Sequence, residues 1–238
     1  MKITSAGSFL TQLTRFGLIN VYLVREEDGF TLIDTGMGGS APGILAAARQ
    51  LGALPIRRVL LTHAHGDHVG SVDALHAALP NAELLISARD ARLLAGETTL
   101  DAGEAQTPLR GSLQRVSAPV TRTLGDGETV GSLRVIATPG HTPGHIALFD
   151  PRDRSLIAGD AFQTAGGAAV AGVVRPLFPL PALATWHLPT ALESARKLLE
   201  LHPSRLATGH GRMLTDPRDV MRQAIAVAER QVSRGSAR

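Results

Sequence analysis

The chain has 238 residues, 44% of them hydrophobic and 19% charged, with a net charge of +3. That balance excludes a disordered chain and leaves enough apolar side chain for a substantial core. It contains no cysteine, which excludes disulfides and thiolate metal sites, and its arginines form no basic stripe interleaved with aromatics, so no nucleic-acid partner is indicated.

In chain order, the N-terminal MKITSAGSFL lacks an apolar stretch of signal-peptide length, and no run approaches a membrane span. The expectation is a cytoplasmic protein with no membrane partner. Leu18–Val24 and Phe30–Ile33 read as strands joined by a polar turn at Glu26–Gly29. Ser40 is placed to cap a helix running to Leu51, with Gly52 as its stop. Arg58–Leu61 reads as a short buried strand, and Val69, Val72, Leu75 and Leu79 recur at helical spacing as far as Pro80. Ala82–Ile86 is a further strand, followed by a short helix near Ala88–Leu94. Ala95–Ala118 has no periodicity and reads as a long surface excursion. Strands resume at Val120–Leu124, Leu133–Ala137, Ile146–Phe149 and Ser155–Ala158, before a second irregular stretch from Ala161 to Pro189. A helix over Thr190–Leu201, a strand over Arg205–Ala207 and a last helix after Asp216-Pro217 complete the chain. Two β-rich halves, each flanked by helices, predict two sheets packed face to face with helices outside, as one domain over residues 1–238.

Chemistry concentrates in Leu61–His68, LTHAHGDH, between a buried strand and a helix. Residues two apart in extended chain project to one side, so His63 and His65 reach one cation together. Asp67 and His68, at the turn into the helix, present a carboxylate and an imidazole to an adjacent position. Without a cation to share, three imidazoles and a carboxylate in six residues are costly to crowd together. Such ligands suit zinc, and also manganese or iron. Three further segments each follow a predicted strand: Pro139–His145 (PGHTPGH), Gly159-Asp160 and Gly209-His210-Gly211. His141, Asp160 and His210 are the candidates they contribute. A glycine beside each lets the backbone turn sharply.

This pattern resembles the metallo-β-lactamase superfamily, whose signature is H-x-H-x-D-H followed by separated His, Asp and His. The resemblance runs from Leu32–Gly36 to Gly209–Gly211. It implies an αββα sandwich with two metals at one edge between the sheets. It also implies that His63, His65 and His141 hold one metal, that Asp67, His68 and His210 hold the other, and that Asp160 bridges them. The chain has Asp160 where the commonest dinuclear β-lactamases have Cys. It is similar to glyoxalase II in its His-Thr-Pro-Gly-His pattern, with a single helix after His210. Gln163 stands where lactonases of this fold place Tyr. The closest likeness is to a branch of bacterial hydrolases of undefined substrate, through Ile86–Gly96, Gly159–Thr164 and Val174–Pro179.

The expected activity is hydrolysis of an ester-like bond (ester, thioester, lactone or phosphodiester) in a small-molecule substrate. Two divalent cations would hold hydroxide between them, with Asp67 as ligand and proton carrier. The alternatives are a mononuclear iron dioxygenase acting on persulfides and a non-catalytic binding protein. Around the metals, Asp34 is a candidate to orient the histidine loop, with a plain turn as its other reading. Phe162, Phe178 and Trp186 fall in the irregular 161–189 stretch, where they either wall a substrate pocket or anchor a loop; His187 and Arg175 are pocket candidates in the same stretch. His145 is expected to act beside the site without binding metal.

Overall fold

A computed structural model describes residues 1–236, so the last two residues of the expected domain lie outside the described chain. Thirteen strands form two main sheets. The first contains β1 (Lys2–Ala6), β2 (Leu10–Arg15), β3 (Ile19–Arg25), β4 (Phe30–Ile33), β5 (Ile56–Leu60), β6 (Glu83–Ser87) and β7 (Arg122–Leu124), arranged spatially in that order. The chain passes through α1 (Ala41–Gln50) between β4 and β5, then α2 (Gly66–Val69) and α3 (Val72–Ala78) before β6, and α4 (Ala88–Leu94) after it. The second sheet is built from β8 (Thr129–Val130), β9 (Leu133–Ala137), β10 (Ile146–Asp150) and β11 (Ser155–Ile157), and is completed by β14 (Arg205–Ala207) and β15 (Leu214–Thr215). Between β11 and β14 lie a small ribbon of β12 (Phe162–Gln163) and β13 (Ala169–Val170), then α5 (Leu180–Leu183) and α6 (Leu188–Glu200). Helix α7 (Arg218–Ser236) follows β15.

Alternation along the strands sorts the apolar residues into three layers. Tyr22, Val24, Ile33, Leu60, Leu133, Val135, Ile146, Leu148 and Ile157 fill the space between the sheets. The neighbours that point the other way from the first sheet, among them Val21, Leu23, Leu32 and Val59, pack beneath Ile44, Val72 and Leu93 of α1, α3 and α4. On the outer face of the second sheet, Ile136, Ala147, Phe149 and Leu156 meet Ala195 and Leu198 of α6 and Met221 and Ile225 of α7. The layers are therefore αββα, as the sequence predicts.

Several local expectations change. β1 and β2 form an antiparallel hairpin where no strand was expected. Gln12 and Thr14 of that hairpin are buried, and with Asn20 they make a polar network onto the carbonyl of Gly211. A sequence of alternating polar residues there looks solvated but is not. Ser40 sits at the N-cap of α1 but makes no capping bond; its hydroxyl accepts from Arg15 instead. The helix expected from Val69 to Leu79 is two, broken at Gly70, where backbone of the Met37-Gly38 turn crosses too close for a side chain. The 95–118 stretch is irregular, yet Leu109, Leu113 and Val116 pack on the layer between the first sheet and its helices, and Asp73 accepts from the Ser117 and Ala118 amides. Within 161–189 lie β12, β13 and α5, and α6 begins at Leu188, before the expected Thr190.

Candidate metal centre

Each chemical segment leaves the C-terminal end of a strand on the same edge of the sandwich. His63 follows β5, His141 follows β9, Asp160 follows β11 and His210 follows β14. Two backbone bonds span the sheets at this edge, Ile146 N–H to Thr62 O at 3.0 Å and Asn20 N–H to Gly209 O at 2.9 Å. The buried Tyr22 hydroxyl, its pKa raised by burial, donates to Thr208 O at 2.6 Å. His63, His65, His68, His141, Asp160 and His210 are all buried, whereas the Asp67 side chain keeps 37% of its surface exposed.

Hydrogen bonds on the far side of each ring hold its proton there and leave the near-side nitrogen bare. Thr62 Oγ1 donates to Asp34 at 2.8 Å, so it accepts from His63 Nδ1 at 3.0 Å. His65 Nε2 donates to the Arg110 carbonyl at 2.9 Å. Thr185 Oγ1 donates to Pro181 O at 2.8 Å and accepts from His141 Nδ1 at 3.0 Å. The opposite nitrogens therefore carry lone pairs when the rings are neutral, and burial pushes all three pKa values down, favouring that form. Those lone pairs face one another: His63 Nε2 lies 3.1 Å from His65 Nδ1, which lies 3.0 Å from His141 Nε2. Three acceptors at such distances repel unless a cation stands among them. Tetrahedral zinc with bonds of about 2.0–2.1 Å sets its nitrogens about 3.3 Å apart, so the cluster has the dimensions of a metal pocket.

The second group is carboxylate-rich. His68 Nδ1 donates to Asp34 Oδ2 at 2.8 Å, leaving Nε2, buried and without a hydrogen-bond partner, aimed at Asp160 Oδ1 at 3.5 Å. His210 Nε2 is 3.2 Å from both Asp67 Oδ2 and Asp160 Oδ2. Burial opposes charge on His68, but Asp160, Asp34 and Asp67 hold it well above the ordinary imidazole value. Burial likewise works against His210, while Asp160 and Asp67 lift it to about 9. Burial raises Asp67 and Asp160, and the neighbouring His68 and His210 outweigh it, leaving both carboxyls below their usual range. Asp160 Oδ2 also lies 3.4 Å from His141 Nε2, so this one carboxylate faces both groups. In three sets of potential ligands, His63/His65/His141, His63/His68/Asp160 and Asp67/His68/His210, the ligand atoms lie within 4.8 Å of one another.

The supporting shell was only partly foreseen. Asp34, in the left-handed region at φ +59°, accepts from Thr62 N–H at 2.8 Å as well as from His68, and so aligns both halves of the histidine loop. His145 donates from Nδ1 to Thr138 Oγ1 at 2.8 Å and accepts the Asp160 amide on Nε2 at 3.0 Å; burial drops its pKa to about 3, keeping that acceptor free. Asp90, not singled out from the sequence, is fully buried and receives Ala64 N–H at 3.0 Å, Thr142 Oγ1 at 2.7 Å and Gly144 N–H at 2.8 Å. It thereby ties the His63–His65 loop to the loop carrying His141, and burial raises its pKa to about 6. The signal for it was the Ser87-x-x-Asp90 spacing: Ser87 Oγ caps α4 by accepting the Asp90 amide at 3.1 Å. Gly111 and Gly209 are needed for close approach, since a Cβ would come within 2.4 Å of His65 Nε2 and 2.1 Å of Asp160 Oδ1 respectively.

The aromatic candidates divide. Phe178 lies 5.2 Å from the His210 ring and lines a cavity of about 510 Å³ that reaches Asp67. Phe162 corrects the expectation: it is fully buried in the core beneath α6 and α7. Trp186 is buried too, its indole donating to Thr107 O at 3.0 Å, which anchors the loop. His187 bonds Thr190 Oγ1 at 2.7 Å at the start of α6, and Arg175 donates to Ala168 O within its own loop; neither side chain is turned to the metal pocket. A second cavity of about 330 Å³ adjoins His65, Asp67, His141, Asp160 and His210 directly.

An αββα sandwich with a histidine–carboxylate cluster at one sheet edge defines a class of metal-binding hydrolase folds. The chain belongs to the metallo-beta-lactamase superfamily, whose profile matches residues 14–210. It is 49% identical over 234 residues to the uncharacterized protein YobT of Bacillus subtilis (strain 168), covering 97% of this chain and all of that protein. It is 34% identical to the probable metallo-hydrolase YflN of the same organism, covering 83% and 82% of the two chains. A hydroxyacylglutathione hydrolase of Stenotrophomonas maltophilia (strain R551-3) is 30% identical over 66% of this chain, which spans only 51% of that enzyme. Among solved structures, TTHA1623 in a di-iron-bound form aligns with a TM-score of 0.64 at 30% identity, covering 89% of this chain and 96% of the other.

Proposed function

We propose that residues 1–238 form one domain that hydrolyses an ester-like bond in a small molecule with two divalent metal ions. His63, His65 and His141 would hold one ion; Asp67, His68 and His210 would hold the other, with Asp160 shared. The observation that carries this reading is the set of three lone pairs meeting at 3.0–3.1 Å beside a self-paired carboxylate cluster. When bound, the two ions supply a polarising centre for the scissile oxygen and a water acidic enough to attack at neutral pH. The remaining work falls to the chain. Asp67, half open to both cavities, is the carboxylate able to take the proton released as water adds and pass it to the leaving oxygen or sulfur. Asp160 sits between the groups, its backbone held by His145 and its approach kept open by Gly209.

Zinc is the favoured metal, with manganese and iron as the other ions this ligand set suits; the di-iron neighbour keeps iron in the comparison. The reading extends to a cytoplasmic enzyme. Among the described residues no helix is long and apolar enough to cross a membrane. Elemental analysis of protein purified without chelator or affinity metal, paired with ester, thioester, lactone and phosphodiester panels, tests the proposal. Two zinc or manganese ions per chain and turnover of one panel support it. One iron per chain with oxygen uptake on persulfides would overturn it in favour of the mononuclear dioxygenase.

A further inference from the structure

The wall of the larger cavity is unlike the metal pocket it opens into. Beyond Asp67 and His210 it includes the large apolar side chains Phe16, Leu18, Met37, Phe178 and Leu180, with Ser112 and Gln114 the other polar side chains of the lining. Phe16 is 70% exposed and Leu180 63%, and Leu18 and Met37 each show about two-fifths of their surface. Single exposed apolar residues mean little, but a cluster that borders a reaction centre marks a surface built to be covered. Among the described residues, no Lys or Arg lines this cavity or the smaller one beside it. The Arg15 guanidinium stacks 4.7 Å over the Phe16 ring and is engaged with Gly38 O at 2.8 Å and Ser40 Oγ at 2.9 Å.

A second, independent observation concerns how Phe16 is held. It is the first residue of the β2–β3 turn, at φ +54°, followed by Gly17 at φ +72°. Tight hairpins with two successive left-handed residues choose Asn-Gly or Asp-Gly, because only short polar residues or glycine tolerate that backbone. A bulky aromatic there is strained and exposed, and an exposed cation–π contact from Arg15 is weaker than that strain, so stability of the hairpin does not account for it. Its position over the cavity does.

Building on the hydrolase reading above, we propose that the substrate carries an uncharged apolar acyl chain that lies in this groove, and that Phe16 is a specificity-determining residue. With the reacting carbonyl at the metal pocket, the chain would run past Asp67 between Phe178 and Leu180 on one side and the Phe16 turn and Met37 on the other. A substrate bearing carboxylates on its acyl side finds no Lys or Arg on the cavity wall to receive them.

The test uses p-nitrophenyl esters of straight-chain acids from two to ten carbons, with carboxylate-ended chains of equal length. The expected result is a rise in kcat/KM of about threefold per methylene until the groove is filled, with carboxylate-ended chains at least tenfold slower. Phe16→Asn is expected to cut the ten-carbon to two-carbon preference about tenfold while raising Tm, since Asn suits the turn. A structural role for Phe16 would lower both. A flat series, or preference for the carboxylate-ended chains, overturns the inference and leaves the hydrolase reading intact. If no ester of any length turns over, the hydrolase reading fails; displacement of the neutral dye Nile red by decanol then judges the groove alone. Failure of Nile red to bind overturns the inference, whereas displacement that Phe16→Asn abolishes sustains it. Sedimentation decides against a second copy as occupant: a dimer that Phe16→Asn dissociates overturns the acyl-chain proposal.

Discussion

The two halves of the metal centre share one loop, residues 63–68, but are built on opposite electrostatics. The His63/His65/His141 half is a cage of neutral rings, their pKa values driven down by burial first and by neighbouring imidazoles second. Its strut is Asp90, which accepts only backbone amides and a hydroxyl. The Asp67/His68/His210 half is an ion-paired cluster in which carboxylates outweigh burial and hold the imidazoles charged. Its strut is Asp34, which accepts from the His68 ring itself. One half has unmet lone pairs and needs a cation to relieve them. The other already sets imidazole against carboxylate at 3.2–3.5 Å, so a cation there must displace existing pairs. Exchanging one imidazole for a carboxylate thus gives two sites of different appetite.

The largest consequence is asymmetric metal dependence. Removing all metal with a chelator should reduce hydrolysis to background. Adding zinc back should then raise Tm in two unequal steps. The first equivalent, entering the histidine cage, should stabilise most, by about 4 kcal/mol at a thousandfold excess over its Kd. Activity should return mainly with the second equivalent. Two equal steps, or full activity after the first, would break the distinction between the halves.

Next in size is the pH dependence of the Asp90 strut. Its folded pKa is raised by burial from 3.8 to about 6, so between those values the native state binds a proton that the unfolded state has lost. Stability contributed by this group is therefore present at acid pH and falls as pH rises through about 6. The shift of about 2.2 units corresponds to about 3 kcal/mol at 1.36 kcal/mol per unit. Asp90→Asn does not titrate, so urea unfolding from pH 4 to 7 should show the variant gaining about 2 kcal/mol relative to the wild type, the rest of the difference lying below pH 4. A constant difference across that range would mean that Asp90 is not the buried charge described.

Why some of this was visible in the sequence follows from where each signal resides. His63, His65, Asp67 and His68 are local in sequence, and His141, Asp160 and His210 each follow a strand, so period-two alternation and a glycine were enough to find them. The layers were legible for the same reason, as in Ile146–Phe149, where alternate residues serve different cores. Asp90 was missed because two of its three partners, Thr142 and Gly144, lie more than fifty residues away and only the topology unites them. The β1–β2 hairpin was missed because Gln12 and Thr14 are polar residues buried in a satisfied network, which no hydrophobic pattern reveals. Phe162 and Phe178 share one irregular stretch, yet β12 turns the first into the core while the second meets His210. Composition cannot separate those two fates.

The Asp34 strut gives the next effect. Asn tolerates the left-handed backbone at this position, so Asp34→Asn changes charge and acceptor count with little added strain. An amide nitrogen cannot accept from His68 Nδ1, and the second half should lose its metal about 10- to 100-fold more easily. The cage should be less affected, because Asp34 reaches His63 only through Thr62. Competition with a coloured chelator, read separately for each equivalent of zinc, measures this. Equal weakening of both equivalents would show that Asp34 supports the loop as a whole.

The smallest effect falls on the other strut. Ser87 Oγ accepts the Asp90 amide and so caps α4, a contact whose loss costs about 1 kcal/mol in comparable helices. Ser87→Ala should lower stability by that amount. The Asp90 carboxylate keeps its own three partners, so the pH-dependent difference described for Asp90 should survive in the Ser87→Ala background. The cap and the strut would then be separable, one holding the helix start and the other holding the cage. If Ser87→Ala instead erased the pH dependence, Asp90 would owe its burial to the cap, and the histidine cage would rest on the end of α4 rather than on the carboxylate between its two loops.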